Sequence, residues 1–268
     1  MILPPFEPSI GDEMRADIVD RLAAVESDFG VRILFAIESG SRAWGFPSPD
    51  SDYDVRFVYA HPTDWYLSLT PGRDVIELPI ADDLDIGGWD LRKALKLLLR
   101  PNPVLLEWLS SPIRYRWDEA ACARLIALTA KTAHASACVH HYLRLGEGQW
   151  RRHIADRQRV NYKKYFYALR PALAIRWVRL NPRAMPPMNI QAMSDRLDLD
   201  EQTVDSISRL LDLKSKTKEV GDGERIPAID RLIEGEFDWA RIRPARKERP
   251  DLVEEADALF RGLVTESG

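Results

Sequence analysis

Two aspartates separated by one residue, Asp52 and Asp54, open an apolar run that continues through Val55, Phe57 and Val58. Ten residues intervene between this pair and Gly40-Ser41, which closes another apolar run, Val31–Ile37. The β-branched residues in both runs predict buried strands. Side chains alternate across a strand, so Asp52 and Asp54 project together while Tyr53 faces the other way. Adjacent carboxylates repel unless a cation sits between them, and a hard, oxygen-seeking ion such as Mg²⁺ or Mn²⁺ suits that geometry. The Gly-Ser turn offers the complementary half. Glycine lets backbone approach a ligand closely, and the following amides with the Ser41 hydroxyl can hold phosphate. Carboxylates for metal and amides for phosphate together point to a nucleoside triphosphate as substrate.

The surrounding pattern predicts an α/β first half. A helix is expected over 12–29, ended by Gly30, and a short helix after Gly40-Ser41 up to Trp44. Strands are expected at Tyr53–Tyr59, Val75–Pro79 and Leu84–Ile86, with helices near His61–Leu69, over Asp90–Leu99 and over Val104–Leu109. From Glu119 onward only helical patterns are expected, over about 119–145, 149–180, 189–193, 201–214 and 227–234. The expected fold is a nucleotide-handling α/β (α+β) domain with a short mixed sheet, residues 1–117. An all-helical domain, residues 118–268, follows and covers the active-site cleft.

A third carboxylate would complete the metal site. Asp82, Asp83 and Asp85 are the candidates, and Asp85 is chosen because Leu84 and Ile86 flank it as a strand requires. Gly40-Ser41, the spacer and Asp-x-Asp at a strand start resemble the signature of the DNA polymerase β superfamily of nucleotidyltransferases. The strings ESGSRAWGFPSPDSDYDVRFVY (38–59) and DIGGWDLRKALKLLLRPNPVLLEWLSSP (85–112) resemble its RlaP-type, RNA-repair-pathway branch more specifically. The resemblance supports Asp85, since the second string opens with it. It implies metal-dependent transfer of a nucleoside monophosphate from a nucleoside triphosphate to an acceptor hydroxyl, releasing pyrophosphate. Asp52, Asp54 and Asp85 would be catalytic and metal-binding, in a two-metal mechanism. RNA or DNA 3′ ends are the acceptors the resemblance favours. A protein hydroxyl, a small molecule, or a non-catalytic nucleotide- or RNA-binding sensor on the same fold are the alternatives.

Further cations enter the reading. Arg42 either clamps the triphosphate or pairs with Glu38 or a nearby Asp to fix the loop. Arg152, Arg159, Lys163 and Arg170 fall on one face if a single helix carries them. Lys163 and Lys164 are the best placed of this region to touch phosphate, and NYKKYFYALRPALAIRW (161–177) also resembles the family. Lys214 and Lys216 read as a solvated helix end, and Trp44 and Phe46 as core. The formal charge of −4 writes no overall basic footprint for nucleic acid. The two cysteines suggest free thiols in a reducing cytoplasm. No stretch reads as a signal peptide or a membrane span. The sequence leaves the oligomeric state, the preferred nucleotide and the pathway open.

Overall fold

The computed structural model describes residues 3–8, 10–70, 72–81, 83–100, 102–132, 135–182, 184–216, 221–243 and 251–266, without the side chains of 135–137. In chain order the elements are α1 (Asp12–Phe29), β1 (Arg32–Glu38), α2 (Gly40–Trp44), β2 (Tyr53–Ala60), α3 (Thr63–Tyr66), β3 (Val75–Glu77), β4 (Leu84–Asp90), α4 (Leu91–Leu98), α5 (Val104–Leu109), β5 (Arg114–Trp117) and α6 (Glu119–Thr129). There follow α7 (Ala135–His153), β6 (Arg159–Asn161), α8 (Tyr162–Leu180), α9 (Ile190–Ser194), α10 (Glu201–Lys216), β7 (Asp222–Glu224), α11 (Pro227–Arg241) and α12 (Val253–Thr265).

These elements form two compact units, each discontinuous in sequence. One holds Pro8–Gly40, Asp52–Thr132 and Arg249–Gly268; the other holds Met1–Glu7, Ser41–Ser51 and Ala133–Glu248. The sequence reading had a single boundary near Trp117 instead. Four segments make the difference: Met1–Glu7 and Ser41–Ser51 join the helical unit, while residues 118–132 with α6 stay in the sheet unit and α12 returns to it, packing on α4 and α6.

The sheet unit is built on a five-stranded mixed sheet in the order β3-β4-β2-β1-β5. Strands β2 and β4 run parallel; every other pairing is antiparallel. This is the short, mixed, helix-backed sheet expected from the sequence. Helix α1 ends at Gly30, whose left-handed φ of 59° lets its amide reach back to the Glu26 carbonyl. Its apolar stripe Ile18, Leu22 and Val25 packs with Ala36, Val55, Phe57 and Ile86 of the sheet. Asp90 ends β4 and caps α4, its carboxylate accepting the Arg92 amide (2.8 Å) and the Tyr66 hydroxyl (2.6 Å). Strand β5 was not anticipated. It is a short outer strand rich in arginine and aromatics (RYRW), without the apolar alternation that marks a half-buried strand.

The helical unit centres on α8, whose buried residues run from Tyr165 to Val178 and which packs on α7 and α11. The single helix expected over 149–180 does not form. Helix α7 stops at His153, and Asn161 starts α8 afresh by accepting the Lys163 amide (3.0 Å). Between them lies β6, paired with β7, whose Gly221-Asp222-Gly223 neighbourhood was read as a turn. Among the described residues no helix is long and apolar enough to cross a membrane.

Candidate active site

Parallel strands β2 and β4 pair in register, placing Tyr53 beside Leu84, Asp54 beside Asp85 and Val55 beside Ile86. Residues opposite one another in register share a face, so the two carboxylates stand side by side while Val55 and Ile86 enter the core. Asp52, Asp54 and Arg56 follow one another at alternate positions. The Arg56 guanidinium lies across the pair: Nη2 donates to Asp85 Oδ2 (2.6 Å) and to Asp54 Oδ1 (3.3 Å), and Nη1 donates to the Asp85 carbonyl (2.7 Å).

The backbone of Asp54 is held from β1. Its amide donates to Glu38 Oε1 (2.8 Å), and its carbonyl accepts the Ser39 amide (2.8 Å). Glu38 is fully buried, and its other oxygen accepts the Tyr115 hydroxyl of β5. Gly40 then turns the chain at φ 59°. A Cβ there would lie 1.8 Å from Asp54 Oδ2, so only glycine leaves that carboxylate its position.

Asp54 titrates above the ordinary carboxylate range. Burial is the main cause; the charges of Asp85 and Asp52 add to it, and Arg56 opposes it. Two neighbouring carboxylates therefore act on Asp54, and the Arg56 guanidinium bridges it to one of them. Their donor atoms are hard oxygens and their mutual repulsion is only partly relieved, which is the chemistry a divalent cation fits. Among the described residues, however, no three acidic, histidine or cysteine side chains form a ready-made metal cage. Arg56 already spans two of the three.

The remaining sequence candidates belong to the helical unit. Ser41 Oγ bonds Ser51 Oγ (3.0 Å), and Arg42 donates to the Ser51 carbonyl (2.6 Å), so both tie the ends of the Ser41–Ser51 segment together. Lys163 is exposed and Lys164 half-buried in the first turn of α8, with the Lys164 ammonium 5.7 Å from the Tyr167 ring. The stripe Arg152, Arg159, Lys163 and Arg170 is broken up: Arg152 lies in the last turn of α7, Arg159 lies in β6, and Arg170 is buried 4.7 Å from the Trp44 ring. Asp82 lies outside the described residues, and Asp83 is a turn residue with a left-handed φ of 61°.

Sequence reasoning missed Arg56 and misjudged Glu38 and Lys214. Lys214 is only 1% exposed, donates to the Phe46 carbonyl and sits 4.9 Å from the Phe46 ring, which itself stacks on Phe166. Burial, with the charges of Lys163 and Arg42, lowers its pKa to about 8 against the pull of Asp50. So Arg42, Lys163 and Lys214 share one electrostatic neighbourhood. The signal was present: Lys214 continues the apolar stripe Val204, Ile207 and Leu210 of α10, where a solvated helix end would not fall. Arg56 and Glu38 were also readable, the first as a cation in alternation with two acids, the second as an acid ending an apolar strand.

Comparison with known proteins adds the following. The sequence model of a family described as "RlaP: RNA repair pathway DNA polymerase beta family" matches residues 14–262. An uncharacterised protein of Bacillus subtilis (strain 168), YcgL, is 41% identical over 260 residues, covering 94% of this chain and 97% of that protein. A nucleotidyltransferase-like protein from Exiguobacterium sibiricum 255-15, known from a crystal structure, aligns over 93% of this chain and 80% of its own at 12% identity. Its TM-score of 0.29 is too low to carry an argument.

Proposed function

This chain belongs to the RlaP family, the RNA repair pathway DNA polymerase beta family, and from that premise we propose that it transfers a nucleoside monophosphate from a nucleoside triphosphate to the 3′ hydroxyl of an RNA or DNA end. Membership sets the class, a polymerase β-like nucleotidyltransferase. The observation that supports catalysis at this site is the in-register pair Asp54 and Asp85 beside Gly40, a placement that a sheet has no structural need for.

Mg²⁺ or Mn²⁺, two ions on two-metal logic, would be held by Asp52, Asp54 and Asp85 and would supply Lewis-acid polarisation and neutralise the triphosphate's developing charge. Asp85, half-exposed at the strand start, is the base that accepts the proton of the acceptor hydroxyl. The hydroxyl oxygen bonds to the α-phosphorus as the bond to the bridging oxygen breaks, and pyrophosphate leaves. Glu38 and Ser39 fix the Asp54 backbone, so that its carboxylate keeps its direction through the reaction. Gly40 and Ser41 would bind the departing phosphates with backbone amides and the Ser41 hydroxyl, and Arg42, next in the chain, would add positive charge. Cys122 and Cys138 are buried thiols outside any disulfide, which accords with work in a reducing cytoplasm.

The test is to incubate the purified protein with Mg²⁺, each labelled nucleoside triphosphate in turn, and total cellular RNA and protein. Label in RNA with stoichiometric pyrophosphate is the expected result. Label in protein would move the acceptor to an amino-acid side chain. Nucleotide binding without pyrophosphate release under any condition would leave a sensor and end the catalytic reading.

A further inference from the structure

Arg56 stands out because it neutralises the very groups that the proposed reaction leaves for metal. Its fork makes one bond to each carboxylate and a further one to the Asp85 main chain, so it is a built contact rather than a passing one. All three side chains are partly shielded, at 24% exposure for Arg56, 30% for Asp54 and 38% for Asp85. A fixed guanidinium and a divalent cation cannot share the space between two carboxylates that are adjacent in register. We propose that Arg56 is a resident counter-cation that holds Asp54 and Asp85 in place before metal arrives, and that a divalent ion entering at Asp85 displaces it. This deepens the reading of the site as a metal-dependent nucleotidyltransferase and rests on it for the identity of the incoming group.

The consequence is measurable without turnover. Arg56→Gln removes one positive charge a few ångströms from the site, so Mn²⁺ should bind at least about tenfold more tightly in the absence of nucleotide, read by the free-ion electron paramagnetic resonance signal. In the double variant R56Q/D85N that gain should vanish, because the ligand that Arg56 reserves has gone. Equal or weaker Mn²⁺ binding in folded R56Q, or a gain that survives D85N, overturns the proposal. The wild-type chain offers a second measurement that needs no substitution. If metal releases Arg56, saturating Mn²⁺ should speed modification of Arg56 by phenylglyoxal, followed by peptide mass spectrometry. An unchanged or slower rate overturns the displacement. Neither readout uses nucleotidyl transfer. A chain that fails the labelling experiment yet shows both effects loses the enzymatic reading and keeps this one; the converse separates them equally well.

Discussion

The helical unit and the strand starts of β2 and β4 treat acidic charge in opposite ways. In the helical unit each buried acid meets enough cationic or hydroxyl partners. Glu236, 4% exposed, accepts from Arg176 (3.0 Å) and twice from Arg179 (3.1 and 2.7 Å). Asp230 accepts from Tyr165 (2.7 Å) and Arg225 (2.8 Å), and Glu147 from Arg151 and Arg241. At the starts of β2 and β4 in the sheet unit, Asp54 and Asp85 share one guanidinium, and the charges of Asp85 and Asp52 push on Asp54. Matched charge marks places where polar groups hold the fold together. Charge left partly unmatched marks a place that expects a ligand.

That contrast breaks most visibly at Asp54. Asp54→Asn should lower nucleotidyl transfer at least about a hundredfold, because transition-state charge loses its stabiliser. The same change should leave stability equal or higher at pH 7. The fold holds the Asp54 pKa above its unfolded value, so the ionised form is disfavoured and costs stability until pH falls through that raised value. Activity assays and urea midpoints on one preparation check both halves, and retained transfer would sink the assignment of the site.

The opposite outcome is expected at Glu236. Glu236→Gln should cost about 3 kcal/mol of stability, since two partly buried arginines lose their counter-charge. A urea midpoint that does not move would mean that the pairing is solvent-screened and the contrast between the units overstated.

A smaller effect sharpens the comparison at a buried cation. Lys214 is a buried charge in the helical unit that meets a carbonyl and two aromatic rings. Its pKa falls from 10.5 to about 8 in the fold, so between those values the unfolded chain holds a proton the folded one has lost. Stability from this group therefore rises with pH across that window. The stability difference between wild type and Lys214→Met should shift in favour of wild type from pH 7.5 to pH 10, as melting curves would show. A constant difference would mean that Lys214 keeps its charge.

Most of the sheet unit was legible because local pattern and tertiary environment agree there. The run Val31–Ile37, the alternation after Asp54 and the cap at Asp90 each have one reading. Asp85 was chosen from three neighbouring acids by its apolar flanks, with the family resemblance in support, and strand pairing sets it beside Asp54. What escaped was whatever depends on contacts distant in sequence. The outer strand Arg114–Trp117 is specified by its neighbour β1 rather than by its own residues. The break between His153 and Tyr162 leaves the helical periodicity of the sequence almost intact. Nothing local to Ser41–Ser51 shows that it packs with the later helices, where Gln191 donates to the Gly45 carbonyl (2.6 Å) and Arg170 covers Trp44.

The parallel pairing of β2 with β4 has a kinetic side. Neighbouring antiparallel strands can zip from a tight turn, but Asp54 and Asp85 meet only after the chain from Val55 to Leu84 has looped back on itself. Ordering that loop precedes any reward from the contact, so such pairings form slowly. A nascent chain released before β4 docks would carry Asp52 and Asp54 without their third partner and without Arg56 bridged to Asp85. Binding of Mn²⁺ during refolding, timed against the recovery of helical circular dichroism, should therefore lag behind it, and capacity for chemistry would be among the last properties this chain acquires.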